Sequence, residues 1–201
     1  MKIAITQRID FIKNRNEYRD SIDQALIKLI ISTGHSPLLV PNSLIHDDNS
    51  EMLEKWLLDH NPEGILISGG NDIGQYINRD NTEKYIYHWA VRKNLPVLGI
   101  CRGMQLIGLL NGTSLKKVKF HVNERHNVSN TSNNKESIKN SYHSFSLLKC
   151  PKNFKVTYTS NDGEIEAIKH NQKKILGIMW HPERENIFMD EDINLIKFVF
   201  D

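Results

Sequence analysis

Cysteine is scarce in this chain: 201 residues carry only Cys101 and Cys150. Two cysteines in a chain of this length do not make a disulfide framework. A reduced, cytoplasmic setting is therefore expected, with a thiol left free for chemistry. The opening MKIAITQRID lacks the apolar stretch and small-residue cleavage site of a secretory signal. No apolar run reaches the ~18–20 residues needed to cross a bilayer, so no membrane partner is expected. Charge imbalance is also missing. The 26 Lys and Arg against 24 Asp and Glu leave a formal charge of +2, which argues against a nucleic-acid partner on bulk charge. Neither a repeat nor a linker interrupts the chain, so residues 1–201 read as a single domain. With 39% hydrophobic residues and both charge signs abundant, the expected class is soluble and globular. A compact zinc pattern is absent too. The nearest histidines, His121, His126 and His143, fall in a polar loop whose spacing matches no compact zinc pattern. Neither a metal nor another cofactor is expected.

What is present is an alternation of short apolar strands and amphipathic helices. Residues 2–6 and 38–40 read as strands. Residues 20–33 carry Ile22, Leu26, Leu29 and Ile30 at helical spacing, with Gly34 as a stop. A second helix fits 50–59, with Ser50 as N-cap and Met52, Leu53, Trp56 and Leu57 as its apolar stripe. A strand at 64–68 ends at Gly69-Gly70. Helix signals over 81–93, a strand at 96–100 and a helix from about 102 to 110 follow. The alternation predicts an α/β three-layer sandwich, with helices on both faces of a mostly parallel sheet. Residues 113–145 are polar and predict hairpins and loops at the sheet edge. Strands at 154–159, 164–169 and 174–180 and a helix at about 190–199 complete the chain, with Asn161-Asp162-Gly163 as a turn. A small antiparallel extension of the sheet is therefore expected.

The most informative segment runs from Pro96 to Gln105. A buried strand enters Gly99-Ile100-Cys101-Arg102-Gly103 and continues into a helix, the thiol counterpart of the Gly-x-Ser-x-Gly nucleophile elbow. Small residues on both sides let strand and helix approach closely around a strained corner. The thiol then projects at the positive end of the following helix, which favours thiolate. Such a nucleophile needs a base, and the base needs an orienting group. Ile178-Met179-Trp180-His181-Pro182-Glu183 offers both: an apolar strand ends at His181, and Glu183 lies two residues on, on the same side of extended backbone.

Together, GICRGMQ and the late WHPE resemble the class I glutamine amidotransferase-like superfamily and, within it, the free-standing γ-glutamyl hydrolases. The resemblance covers nearly the whole chain and implies a flavodoxin-like fold of the glutamine amidotransferase type. It implies that Cys101 attacks a γ-carbonyl to form a γ-glutamyl thioester. His181 then protonates the leaving amine and activates water, and Glu183 orients His181. Ser68-Gly69-Gly70-Asn71-Asp72 resembles the family's oxyanion loop, which puts the N–H groups of Gly70 and Arg102 on the oxyanion and Asn71 beside the substrate. Gln105 and the segment Asn140-Ser141-Tyr142-His143-Ser144 resemble the glutamyl-binding positions, implying substrate contacts from Ser141, Tyr142, His143 and Ser144.

Arg102 after the nucleophile is similar to the hydrolases, whereas synthetase-type glutaminases usually carry a non-basic residue there. The chain is shorter than the γ-glutamyl-γ-aminobutyrate hydrolases, and its Gly-Gly-Asn-Asp loop departs from theirs. KIAITQR, SGGND, CRGMQ, ERH, NSYH and WHPER look more like the short γ-glutamyl-CDP-amidate hydrolases of capsule biosynthesis. That likeness adds Arg125 and His126 to the substrate contacts and leaves a nucleotide-linked small molecule open as the substrate. Lys116, Lys117, Lys119, His121, Arg125 and His126 concentrate positive charge after the nucleophile helix, which suits either a diphosphate or a solvated basic strand edge. Two alternatives stand beside the hydrolase: a glutaminase component delivering ammonia to a synthetase partner, and a non-enzymatic binding protein on the same fold.

Overall fold

The computed structural model describes residues 1–45 and 49–201. In chain order its elements are β1 (Lys2–Thr6), β2 (Arg8–Ile12), β3 (Glu17–Ser21), α1 (Gln24–Ser32), β4 (Ser36–Val40), α2 (Glu51–His60), β5 (Gly64–Ile67), α3 (Ile77–Lys93), β6 (Val97–Ile100), α4 (Arg102–Leu110), β7 (Leu115–Lys117), β8 (Val122–Asn130), β9 (Glu136–Tyr142), β10 (Phe145–Leu147), β11 (Phe154–Ser160), β12 (Ile165–His170), β13 (Ile175–Ile178) and α5 (Asp190–Phe200). A nine-stranded sheet in the order β4-β1-β5-β6-β13-β12-β11-β8-β9 forms the middle layer. The pairs β4-β1, β1-β5, β5-β6 and β6-β13 are parallel. From β12 outward every pair is antiparallel, so the extension is as large as four strands and continues the main sheet.

Alternation along the central strands assigns the two faces. Ala4, Ile65, Ile67 and Val97 pack with Leu53 and Leu57 of α2, Ile86 and Ala90 of α3 and Ile107 of α4. Their neighbours Ile3, Ile5, Leu66, Leu98 and Ile100 pack on the other face with Leu29 and Ile30 of α1 and Ile196, Val199 and Phe200 of α5. Strands buried on both faces read as continuous apolar runs, which is why 64–68 and 96–100 stand out in the sequence. Each fully buried Leu or Ile contributes roughly 1.5–3 kcal/mol.

Three elements differ from the sequence expectation. The predicted 20–33 helix begins only at Gln24, where Asp23 caps it by accepting from the Ala25 N–H at 2.8 Å. Upstream, β2 and β3 form an antiparallel hairpin that turns at Asn16 in a left-handed conformation (φ 50°). Helix α3 starts four residues earlier than predicted, at Ile77. In α2, Ser50 makes no side-chain cap and Asn49 Oδ1 accepts from the Glu51 N–H instead, while Met52 of the predicted stripe is exposed.

A polar network crosses the apolar interior between α3 and α4. Glu83, fully buried, accepts from Thr6 Oγ1 (2.9 Å), from Arg79 Nε (2.9 Å) and from the Arg102 guanidinium, which also pairs with Asp80. Removing one partner of such a cluster strands an uncompensated charge. Glu83→Ala is expected to cost about 3–5 kcal/mol. Urea unfolding followed by circular dichroism checks this: the midpoint falls while the slope stays constant.

Candidate active site

The carboxyl ends of β1, β5, β6 and β13 meet at one edge of the sheet, where α/β folds keep their sites. Strand β6 ends at Ile100, and Cys101 follows as the N-cap of α4 with φ 51° and ψ −105°, a backbone conformation that is costly for a side-chain-bearing residue. The glycines around it make this corner possible. A Cβ on Gly99 would lie 2.6 Å from the carbonyl carbon of Gly103, and one on Gly103 would lie 2.1 Å from the Ile67 oxygen of β5. Helix α4 therefore sits directly against two strands, with Cys101 held at the turn and only 7% exposed.

His181 follows β13 by three residues. Its Nδ1 lies 2.6 Å from Glu183 Oε1, and its ring hydrogen-bonds the Cys101 thiol. Pro182 opens the short 3₁₀ turn 182–184 and turns Glu183 back under the imidazole. Burial lowers the pKa of His181, but the negative charge and hydrogen bond of Cys101, together with the Glu183 carboxylate, outweigh it and raise the value to about 9. Thiol, imidazole and carboxylate are thus aligned in the order that a nucleophile, a base and its orienting acid would need. On the far side of the ring, a Cβ on Gly69 would lie 2.8 Å from His181 Cε1, so Gly69 gives the imidazole its space. Ser68, Gly69, Gly70, His181, Glu183 and Arg184 border a cleft of about 250 Å³ that continues toward Arg8 and α1.

The loop after β5 is held by a residue that sequence reasoning missed. Arg79 is fully buried and donates to the carbonyls of Ser68 (2.9 Å) and Gly69 (2.7 Å) and to Asn71 Oδ1 (3.1 Å). Gly70 adopts φ +114°, and a side chain there would meet Arg8 Cβ at 2.9 Å. Asn71 does not turn toward the cleft. Its amide brackets Ile9, accepting from the N–H at 2.8 Å and donating to the carbonyl at 2.9 Å, which pins the β2–β3 hairpin to the loop. The Arg102 side chain likewise points into the Asp80 and Glu83 network, leaving its main-chain N–H in the open first turn of α4.

Asn140, named in the sequence only as the start of its segment, acts on His181. Its amide accepts from the His181 N–H (2.9 Å) and donates to the His181 carbonyl (2.8 Å), clamping the backbone of the proposed base. Of the expected substrate contacts, Tyr142 stands edge-on to the His181 ring at 5.8 Å and carries the Arg184 guanidinium 4.3 Å above its own ring. Gln105 donates to the Phe145 carbonyl at 2.9 Å, which anchors the 143–145 segment to α4. Ser144 is exposed, and its carbonyl accepts from the Val118 N–H at 3.0 Å. Ser141 is buried and donates to the His121 carbonyl at 2.7 Å.

The remaining expected contacts pair with carboxylates. His126 and His143 point to a buried carboxylate, Glu166, and Arg125 pairs with Glu185 at 3.0 Å. Lys116 lies 2.9 Å from Glu164. In the run 116–126, Lys116, His121, Arg125 and His126 thus lie against carboxylates from later in the chain. Both cysteines are free thiols, and among the described residues no helix is long and apolar enough to cross a membrane.

The family model for the class-I glutamine amidotransferase matches residues 16–196. The chain is 34% identical over 133 residues to the γ-glutamyl-CDP-amidate hydrolase of Campylobacter jejuni, covering 63% of this chain and 65% of that one. It is 31% identical to one subunit of the glutamine-hydrolysing GMP synthase of Methanobrevibacter smithii, over 86% of this chain and 84% of the relative. It is 30% identical to the carbamoyl phosphate synthase small chain of Wigglesworthia glossinidia brevipalpis, over 94% of this chain but only 50% of the relative. The chain thus spans about half to two thirds of the length of two of these three relatives. Among solved structures, a putative GMP synthase subunit from Thermoplasma acidophilum superposes with a TM-score of 0.72 at 22% identity, covering 99% of this chain and 92% of that one, which speaks to the fold. With the match spanning most of its length and the strand–elbow–helix corner in place, the chain belongs to the class-I glutamine amidotransferase family.

Proposed function

We propose that the chain is a free-standing hydrolase of γ-glutamyl amides. The alignment of Cys101, His181 and Glu183 at the sheet edge carries this reading. Cys101 Sγ attacks the γ-carbonyl carbon, and the developing oxyanion is held by the main-chain N–H groups of Gly70 and Arg102; one such donor is worth about 2.7–4 kcal/mol in comparable acyl transfers. His181, protonated beside the thiolate, gives its proton to the leaving nitrogen as the C–N bond breaks. The product is a neutral γ-glutamyl thioester. Acylation removes the anionic sulfur that holds His181 in its charged form, so the imidazole falls back toward neutrality and takes a proton from the attacking water. Glutamate then leaves and the thiolate is restored.

The 34% identity to a γ-glutamyl-CDP-amidate hydrolase supports a substrate whose leaving group is a phosphoramidate linked to a nucleotide. Likeness to the GMP synthase of Methanobrevibacter smithii favours a second reading, a glutaminase that hands ammonia to a synthetase partner. The two differ in autonomy: a hydrolase turns over alone, whereas a glutaminase of this kind waits for its partner. Cytoplasmic placement and action on capsule precursors belong to the first reading.

The purified chain is expected to release glutamate from γ-glutamyl phosphoramidates faster than from glutamine, without a partner, as followed by a coupled glutamate assay. Turnover that is negligible until a synthetase is added would overturn the hydrolase in favour of the glutaminase. Cys101→Ala is expected to lower kcat by about 10⁴-fold or more; unchanged turnover would refute the mechanism altogether.

The protonation state of His181 sets a second expectation. The raised pKa keeps the ring protonated below about 9, so acylation is intact there and declines as pH rises through that value. The pH profile of kcat/KM should show its alkaline limb near 9, and Glu183→Gln should move the limb to lower pH. A third expectation follows from the 2.8 Å approach at Gly69. Gly69→Ala should displace the imidazole and cut kcat by about 10²-fold, the scale of a 1 Å misplacement, with the thermal midpoint little changed.

A further inference from the structure

Three histidines and one glutamate converge behind the catalytic edge, from segments that are distant in sequence. Glu166 of β12 is fully buried, and neither carboxylate oxygen has a hydrogen-bond partner. Its Oε1 lies 3.5 Å from His121 Nδ1, 3.4 Å from His126 Nε2 and 3.4 Å from His143 Nε2, beyond ordinary hydrogen-bonding distance. His121 Nδ1 and His143 Nε2 are 3.2 Å apart. Each of these separations is near the ligand–ligand edge of about 3.3 Å expected for zinc–ligand bonds of ~2.0–2.1 Å. His121, His126 and Glu166 alone place ligand atoms within 4.8 Å of one another.

The outer contacts set the tautomers. His143 Nδ1 faces the Phe145 carbonyl at 3.0 Å, and a carbonyl only accepts, so Nδ1 carries the hydrogen. His121 Nε2 faces Asp162 Oδ2 at 2.9 Å and donates to it in the same way. In the neutral rings both inner nitrogens, His121 Nδ1 and His143 Nε2, are then lone pairs aimed at each other. Two lone pairs at 3.2 Å beside a bare carboxylate require a cation between them, either a proton or a metal. A carboxylate or carbonyl on the distal nitrogen is the usual support of a metal-bound histidine. His121, His126 and Asp162 also line a cavity of about 180 Å³ that gives an ion a route from solvent.

We propose that His121, His126 and Glu166, with His143 beside them, form a binding site for a divalent transition metal, zinc by the character of its donors. Bound there, the metal staples the start of β8 to β12. Binding releases protons and weakens as pH falls. The site does not depend on the hydrolase reading.

The test uses the full chain in a Cys101→Ala background, so that the thiol and His181 do not compete for the ion. After chelation and dialysis, zinc chloride is titrated by calorimetry, with magnesium chloride as the control. The expected result is one zinc per chain with submicromolar affinity, no magnesium binding, and a thermal midpoint several degrees higher with zinc. Cobalt(II) should give the visible spectrum of a tetrahedral ion. Glu166→Gln and the partly exposed His126→Ala should each weaken zinc binding by about 10²-fold, the upper end of what losing even a supporting contact costs a metal site. His126 borders solvent, so its variant keeps the test valid should Glu166→Gln fail to fold. No zinc uptake by the stripped chain overturns the proposal, as does uptake that survives His126→Ala at full affinity.

Discussion

Glu83 is the point on which the site's framework hangs. One fully buried carboxylate joins the Thr6 hydroxyl at the end of β1, the Arg79 guanidinium and the Arg102 guanidinium at the start of α4. Burial lowers both arginines to about 9, most strongly through lost hydration, and Asp80 opposes that shift in each. Both therefore remain charged at neutral pH. Arg79 then spends its remaining donors on Ser68, Gly69 and Asn71. The loop beside the imidazole and the helix carrying the thiol are thus fixed to one anion, and their relative positions cannot drift independently. Two positive and two negative groups, Arg79, Arg102, Asp80 and Glu83, balance the cluster in an interior that tolerates no surplus charge.

Close approach is the second constraint, and it explains where glycine is required. A methyl group on Gly103 would collide with the Ile67 carbonyl, and one on Gly69 would collide with His181. The elbow is tight because strand, helix and loop share space that side chains would otherwise fill. A strained Cys101 is the outcome, held in place because everything around it over-determines its position.

Legibility in the sequence followed the physics of each element. Strands such as Gly64–Ile67 and Val97–Ile100, buried on both faces, announce themselves as apolar runs, and the nucleophile elbow announces itself by two glycines around Cys101. The β2–β3 hairpin did not, because Glu17–Ser21 is polar and largely exposed, and it runs into a helix whose apolar spacing extends the pattern backward. Arg79 was hidden for the opposite reason. The inward side of α3 carries Arg79, Thr82 and Glu83 as well as Ile86 and Ala90, so a search for apolar periodicity places the helix too late and treats its key residues as solvated. The pairing of the basic run 116–126 was not legible because the carboxylates facing it, Glu164, Glu166 and Glu185, arrive forty to sixty residues later. Glu166 in particular lies in the apolar alternation of β12, where a fully buried carboxylate is the least expected residue.

That carboxylate ties the periphery to the centre. The Glu166 carbonyl accepts from the Met179 N–H at 2.8 Å, two residues ahead of His181. Its side chain meets His143, whose Nδ1 faces the same Phe145 carbonyl that receives Gln105 from the nucleophile helix. Strand β12 therefore supports the His181 imidazole through its backbone and α4 through its side chain. A cation at the His–Glu cluster, whether shared protons or a bound metal, would hold the 143–145 segment at a fixed distance from β12. Neutralising Glu166 would loosen Phe145 and Gln105 first, and His181 least, because the Met179 link is made by the backbone and survives any change of side chain.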